Sequence, residues 1–201
     1  MLRGGRSKKS WSEEERHALG TVVTVEDYWS LTAQLEPPSA LPVGCALLVF
    51  RAAEASEASW EAFPGGGAWE LRLGAEGPPA SVHEAWQATL VAALGEQLVA
   101  PGTDAGEVCG ARLTRRRAGW KLAVWTRTAA DSEAQLAVGH ALRALLRPTL
   151  PAEALDGLAY VAHAAARRRA SAGRSLDGAE EAPPLYTCAA PKSECESPLK
   201  G

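Results

Sequence analysis

Residues 108–126 read VCGARLTRRRAGWKLAVWT, and this stretch decides the fold class. Two strand-like runs, 108–116 and 120–126, flank Ala118-Gly119, which predicts a tight hairpin between two strands. Because successive side chains of a strand point to opposite faces, Lys121 and Trp125 share one face of the second strand. The stretch therefore predicts part of an antiparallel sheet.

Three further strands are predicted on either side of this hairpin, at CALLVF (45–50), AWELRL (68–73) and LAYVA (158–162). In AWELRL, three apolar side chains alternate with Glu70 and Arg72, which is typical of a sheet with one buried face.

Three helices are also predicted, each from a capping residue and a partner three positions later: Thr24 with Asp27, Ser81 with Glu84, and Ser132 with Gln135. The order of these elements favours an α+β domain, in which a mainly antiparallel sheet is backed by helices.

Composition limits the classes of function. The chain has 201 residues, 46% of them hydrophobic, which predicts one folded domain. A net charge of −3 argues against a protein that coats nucleic acid non-specifically, so any RNA contact must be local. The polar, basic N-terminus and the lack of long apolar runs predict a soluble, intracellular protein.

The predicted domain covers residues 11–166, between flexible tails at 1–10 and 167–201, which are polar and without periodicity. The four cysteines lack metal-ligand spacing, so we predict no disulfide, no metal and no cofactor. The chain also contains no P-loop, no Gly-x-Ser-x-Gly, no HExxH and no Cys-x-x-Cys motif, so catalysis has no visible basis in the sequence.

Tryptophan is unusually frequent, with seven Trp against two Phe and three Tyr. Large rigid rings with a polarizable face suit stacking surfaces as well as core packing. For any single Trp, a place in the core is the more common outcome.

Seven separated motifs occur in a defined order: VEDYWSL (25–31), the Leu41 to Phe50 segment, SWE (59–61), GGxW (66–69), WxxTL (86–90), VCGA (108–111) and KLAVWT (121–126). In this order they resemble the eukaryotic initiation factor 4E family, and the resemblance runs from about Trp11 to His163. It implies a curved antiparallel sheet backed by three helices, with the 7-methylguanosine cap of messenger RNA bound on the concave face.

The resemblance implies four residues around the cap base. Trp11 and Trp60 match the two rings that sandwich the methylated base, Glu61 matches the acceptor for its N1 and amino groups, and Trp125 matches the residue at the N7 methyl group. Methylation makes the base cationic, so stacking on Trp gains a cation–π contribution. Trp11 as an aromatic in a polar tail, Glu61 as a solvated charge and Trp125 as a core residue remain alternatives.

The triphosphate of the mRNA cap requires cations. Arg116 matches the family's phosphate-binding arginine, but Ala118 stands where the family has a lysine. The other predicted phosphate ligands are Arg112, on the Arg116 face by alternation, and Lys121, across the hairpin. The run 167–169, three arginines, is either a further contributor or a solvated tail.

A second surface is implied for protein partners, namely a scaffold resembling factor 4G or 4E-binding proteins that dock through a short helix. Val25 and Trp29 preserve the first-helix half of this surface. On the second helix the family's Leu, Glu and Leu are replaced by Gln87, Ala88 and Val91, which predicts weakened binding.

Several hypotheses about the function remain open. The leading one is a non-enzymatic, cap-binding initiation factor of the cytoplasm, or also of the nucleus, that does not engage membranes. A cap-binding repressor, a paralogue that keeps only protein interactions and a cap hydrolase follow in that order. The family's usual first strand has no counterpart before Trp11, which predicts a sheet that lacks one edge strand.

Overall fold

The computed structural model describes residues 17–51, 63–75, 79–171 and 184–188. Within them, six strands form one antiparallel sheet in the order β1-β3-β4-β2-β5-β6. The strands are β1 (Ala46–Phe50), β2 (Gly67–Gly74), β3 (Val108–Arg116), β4 (Gly119–Thr126), β5 (Ala159–Ala162) and β6 (Tyr186–Thr187). The helices are α1 (Val25–Thr32), α2 (Pro79–Leu94), α3 (Ser132–Leu146), α4 (Ala152–Leu155) and α5 (His163–Ser171).

The β3–β4 hairpin forms as predicted, but its turn lies one residue earlier. Arg116 pairs with Gly119, so Arg117 and Ala118 are the two loop residues. Gly119 opens β4 with φ +134°, and a Cβ there would collide with the carbonyl oxygen of Leu73. Only glycine fits this backbone position, because it lacks the Cβ that excludes other residues from positive φ.

Alternation along the strands separates two faces of the sheet. One face carries the main core, in which buried side chains of β2, β3 and β4 pack against α1 to α4, for example Trp69, Leu71, Leu113, Leu122 and Val124. The other face, called here the open face, carries the intervening side chains of the same strands. The α+β fold with an antiparallel sheet backed by helices is thus confirmed.

The helix starts agree with the sequence only in part. Thr24 and Asp27 form the predicted capping box of α1, with Thr24 Oγ1 accepting from the Asp27 amide at 3.1 Å. Ser81 lies inside α2, which begins at Pro79, so its predicted capping role is wrong. The N-cap of α3 is Asp131 rather than Ser132, because its Oδ1 accepts from the Ala134 amide at 3.0 Å.

Part of the range assigned to a C-terminal tail lies in regular structure. Helix α5 extends to Ser171, and β6 pairs with β5, placing Tyr186 against Tyr160 at a ring distance of 5.5 Å. The domain boundaries remain a prediction. In the described ranges, no helix has the combined length and apolarity needed to cross a bilayer, and Cys45, Cys109 and Cys188 are free thiols.

Candidate functional site

The open face is built by three neighbouring strands, β3, β4 and β2, whose residues form rows across the sheet. From one end to the other the rows are Gly110–Trp125–Ala68, Arg112–Ala123–Glu70, Thr114–Lys121–Arg72 and Arg116–Gly119–Gly74. One end of the open face, called here the aromatic end, therefore carries Trp125. The other end, called here the cationic end, carries Lys121, Arg72 and Arg116.

Trp125 forms the aromatic end. It is 7% exposed, yet it packs in a small cluster separate from the main core. Its ring meets Phe50 and Phe63 edge-on at centroid distances of 5.2 and 6.0 Å, and lies 4.5 Å from the ring of His163. The structure thus places Trp125 on the open face and not in the core against the helices.

His163 helps to hold this aromatic end together. Its ring Nδ1 lies 3.1 Å from the Phe63 carbonyl oxygen, and its backbone N–H donates to the Gly66 carbonyl at 3.0 Å. Phe63 is also the first described residue after the segment that carries Trp60 and Glu61. Those two residues and Trp11 lie outside the described residues.

The three predicted phosphate ligands do share the open face. Arg112 is buried, and its Nε donates to Thr114 Oγ1 at 3.2 Å. Arg116 is half-buried at the end of β3. Lys121 forms an ion pair with Glu70 at 2.5 Å, with about a fifth of each side chain exposed.

Burial lowers the pKa of Lys121, and the neighbouring charges of Arg116 and Arg72 lower it further, while Glu70 raises it. The four side chains therefore form one electrostatically coupled group. Alternation alone placed Glu70 and Arg72 on this side of β2, but the sequence did not indicate that β2 pairs with β4. Both residues were therefore missed as members of the site.

Arg115 and Arg117 do not join this group, because alternation along the strand turns them away from Arg116. The Arg115 guanidinium lies 3.9 Å from the centroid of the Trp120 ring, on the core side, and donates to the Gly119 carbonyl at 3.0 Å. Arg117 is exposed in the turn.

The predicted partner surface lies on the outer side of the helices. Val25, Trp29 and Val91 are 69%, 51% and 44% exposed, and Gln87 is half-buried. Tyr28, at 6% exposure, is the α1 residue that enters the core. Trp29 is therefore an exposed residue of α1 and does not pack between helix and sheet.

Within the described ranges, no group of three or more His, Cys, Asp or Glu residues is arranged to hold an ion.

Residues 3–176 match the family model of eukaryotic initiation factor 4E. Initiation factor 4E-2 of Arabidopsis thaliana is 35% identical over 139 residues, covering 68% of this chain and 53% of that protein. Isoform 4E of Prunus domestica is 32% identical over 165 residues, covering 81% of this chain and 70% of its own length. The matched part spans about half the length of the Arabidopsis relative.

Solved structures of similar fold include complexes with ligands. Ascaris suum eIF4E-3 with the m7G cap is 27% identical, with a TM-score of 0.67, and the match covers 81% of this chain and 85% of that one. C. elegans eIF4E-3 with the 4E-binding protein Mextli is 25% identical, with a TM-score of 0.67 and coverages of 80% and 87%.

Proposed function

Since this chain belongs to the eukaryotic initiation factor 4E family, we propose that it binds the 7-methylguanosine cap of messenger RNA in translation initiation, as a binding protein and not as an enzyme. The observation that carries the proposal is the open face itself, where an aromatic end and a cationic end lie on the same three strands. Its site of action is the cytoplasm, with the nucleus as a second location.

The shape of the face suits an elongated, amphipathic ligand. Trp125 and Lys121 are four residues apart on β4, which is about 13 Å along a strand. A ligand that touches both must therefore carry an apolar or aromatic group at one end and negative charge at the other. A base joined through a sugar to a polyphosphate has this form.

Recognition of the base rests on residues given by the family resemblance. Trp11 and Trp60 stack on the two faces of the cationic ring, and Glu61 accepts its N1–H and amino hydrogens in a charge-assisted bidentate contact. Trp125 lies edge-on in its aromatic cluster and contacts the N7 methyl group. Arg116 and Arg112 bind the phosphates, and Lys121 lies at the same end of the face in its ion pair with Glu70.

We expect Trp60→Ala and Glu61→Ala each to weaken binding of a cap analogue by about 1–3 kcal/mol, the range for base stacking and charge-assisted contacts. Isothermal titration calorimetry with 7-methyl-GTP measures the loss. Glu57→Ala, which removes the same charge from the same segment, is the matched control and should bind like the parent.

Methylation is the second arm of this test. Because N7 methylation supplies the positive charge, the parent should be released from a cap-analogue resin by free cap but not by GTP. Release by both, or parent-like affinity in Trp60→Ala and Glu61→Ala together, would contradict the assignment of the base pocket.

We further propose that α1 and α2 receive a short helix from a scaffold resembling factor 4G or from 4E-binding proteins. Exposed apolar side chains on helices are typical of such docking surfaces, and Val25, Trp29 and Val91 provide them here. Gln87 lies one turn before Val91 on α2 and lacks the apolar side chain that the family has at this position. A cap-binding repressor with weakened scaffold binding is therefore the second candidate function.

We expect weak binding of a consensus Tyr-x-x-x-x-Leu helix peptide, because each lost contact costs about 1–2 kcal/mol. Gln87→Leu combined with Ala88→Glu should tighten binding, and Trp29→Ala should abolish what remains. Calorimetric titration of the three proteins with one peptide gives the comparison. Tight binding by the parent would contradict the proposal that this surface is weakened. No gain of affinity in the double variant would indicate that the peptide docks elsewhere on the protein.

A further inference from the structure

Building on the proposed function, we infer that Arg72, together with Arg116, binds the phosphates of the cap that lie farthest from the base, while Glu70 holds Lys121 away from them. Arg72 and Glu70 thereby determine how strongly this chain depends on the length of the polyphosphate.

Arg72 occupies a place that suits this role. It pairs in register with Lys121 across β2 and β4, so its side chain points to the open face. Unlike Lys121, Arg72 is exposed. It approaches Arg116 from the other side of β4, since β4 lies between β2 and β3 in the sheet.

A small cleft of about 130 Å³ is lined by both arginines. The rest of its lining is formed by Leu73, Gly74, Ala118, Gly119 and Trp120. The glycines explain the space: Gly74 and Gly119 face each other across the β2–β4 pair, and a side chain at 119 is excluded by the backbone of β2. The volume admits more than one water-sized group.

The chemistry of the cleft favours phosphate. Two guanidinium groups offer forked N–H donors that match phosphate oxygens in bidentate geometry. The row that contains Arg72 lies four residues along β4 from the row of Trp125, about 13 Å away. A ligand whose base contacts Trp125 therefore reaches this cleft only with its distal phosphates.

Lys121 is held away from such a ligand by its ion pair with Glu70. Its Nζ lies 2.5 Å from Glu70 Oε2, and both side chains are largely buried. A phosphate must displace this carboxylate or approach it, and like charges repel in a partly buried setting. Glu70 thus lowers affinity for the polyphosphate end while leaving the base contacts unchanged.

The test compares 7-methyl-GMP with 7-methyl-GTP by calorimetry on the full chain. Arg72→Ala should weaken 7-methyl-GTP about tenfold, as expected for one charge-assisted contact, and leave 7-methyl-GMP within about twofold. Glu70→Gln should tighten 7-methyl-GTP several-fold. Arg147→Ala removes the same charge from an exposed position after α3 and should alter neither ligand.

A rescue variant sharpens the test. Ala118 lines the same cleft, so Ala118→Lys should restore 7-methyl-GTP affinity in the Arg72→Ala background. Unchanged preference for 7-methyl-GTP over 7-methyl-GMP in Arg72→Ala would overturn this inference while cap binding stands. Equal weakening of both ligands would overturn it too. Failure of the parent to bind either methylated ligand would instead overturn the proposed function, and the inference with it.

Discussion

We expect Glu107→Ala to lower the free energy of unfolding by about 3–5 kcal/mol, because it removes a buried carboxylate that holds three hydrogen bonds. Glu107 is 6% exposed. Its Oε1 accepts from the Thr128 amide at 3.0 Å and from Gln135 Nε2 at 2.7 Å, and its Oε2 accepts from the Thr128 hydroxyl at 2.7 Å. Truncation removes the acceptor of both Thr128 donors and leaves the buried Gln135 Nε2 with one acceptor, the Thr128 carbonyl, instead of two. Urea denaturation followed by Trp fluorescence measures the loss.

Two variants separate this network from a general effect of charge. Glu133→Ala removes a carboxylate from the exposed face of α3 and should change stability by less than about 0.5 kcal/mol. Glu107→Gln keeps the volume but replaces one acceptor oxygen with a donor group, so it should still destabilise. If Glu107→Ala loses no more than Glu133→Ala, the network does not stabilise the fold as described.

The hairpin at 108–126 and the alternation in AWELRL were sufficient to predict the antiparallel sheet. Strand period is a local property, because each side chain's direction follows from its neighbours. Strand β6, at Tyr186–Thr187, escaped prediction for the same reason. Two residues have no period, and their pairing with β5 depends on contacts distant in sequence.

The prediction of a helix start failed where a neighbouring residue could also serve as the N-cap. Ser132 with Gln135 fits the capping-box pattern, but Asp131 one position earlier provides the side-chain acceptor for α3. Gln135 is then free to turn inward, where its Nε2 donates to Glu107 and to the Thr128 carbonyl. The capping pattern therefore predicted a helix start here but placed the N-cap one residue too late. The bond that Gln135 makes instead, to the buried Glu107 carboxylate, is distant in sequence and accounts for the difference.

The candidate site shows the same division between local and long-range information. Alternation correctly predicted that Arg112 and Arg116 share a face, and the hairpin register places Lys121 on that face as well. It could not predict that Glu70 meets Lys121, because that contact requires β2 to be the neighbour of β4. The order of strands in the sheet depends on the packing of the whole domain, so it cannot be predicted from local patterns in a single sequence.

The described tryptophans fall into separate environments that the sequence distinguished only partly. Trp69 and Trp86 are both buried in the core, which is the more common outcome for any single tryptophan. Trp125 lies on the open face, and Trp29 is half exposed. A tryptophan that stabilises the fold can therefore be separated by mutation from one that is available for a partner.

We expect Trp69→Ala to lower the free energy of unfolding by about 3–5 kcal/mol, the usual cost of truncating a fully buried tryptophan. Its ring is 0% exposed and lies 5.5 Å from that of Tyr160. Its Nε1–H donates to the Gln135 carbonyl at 3.0 Å. The ring also occupies the space that a Cβ on Gly139 would need, so α3 and β2 are in close contact at this point. Thermal and urea unfolding both measure the effect.

Trp29→Ala is the matched control, since it makes the same change at a residue that is 51% exposed. It should cost less than about 1 kcal/mol of stability, because a half-exposed ring loses little burial on unfolding. Trp69→Phe should fall between the two, since it keeps an aromatic ring in the core but gives up the hydrogen bond to Gln135. Equal losses in Trp29→Ala and Trp69→Ala would mean that Trp29 packs into the fold, and its proposed availability to a partner helix would then be contradicted.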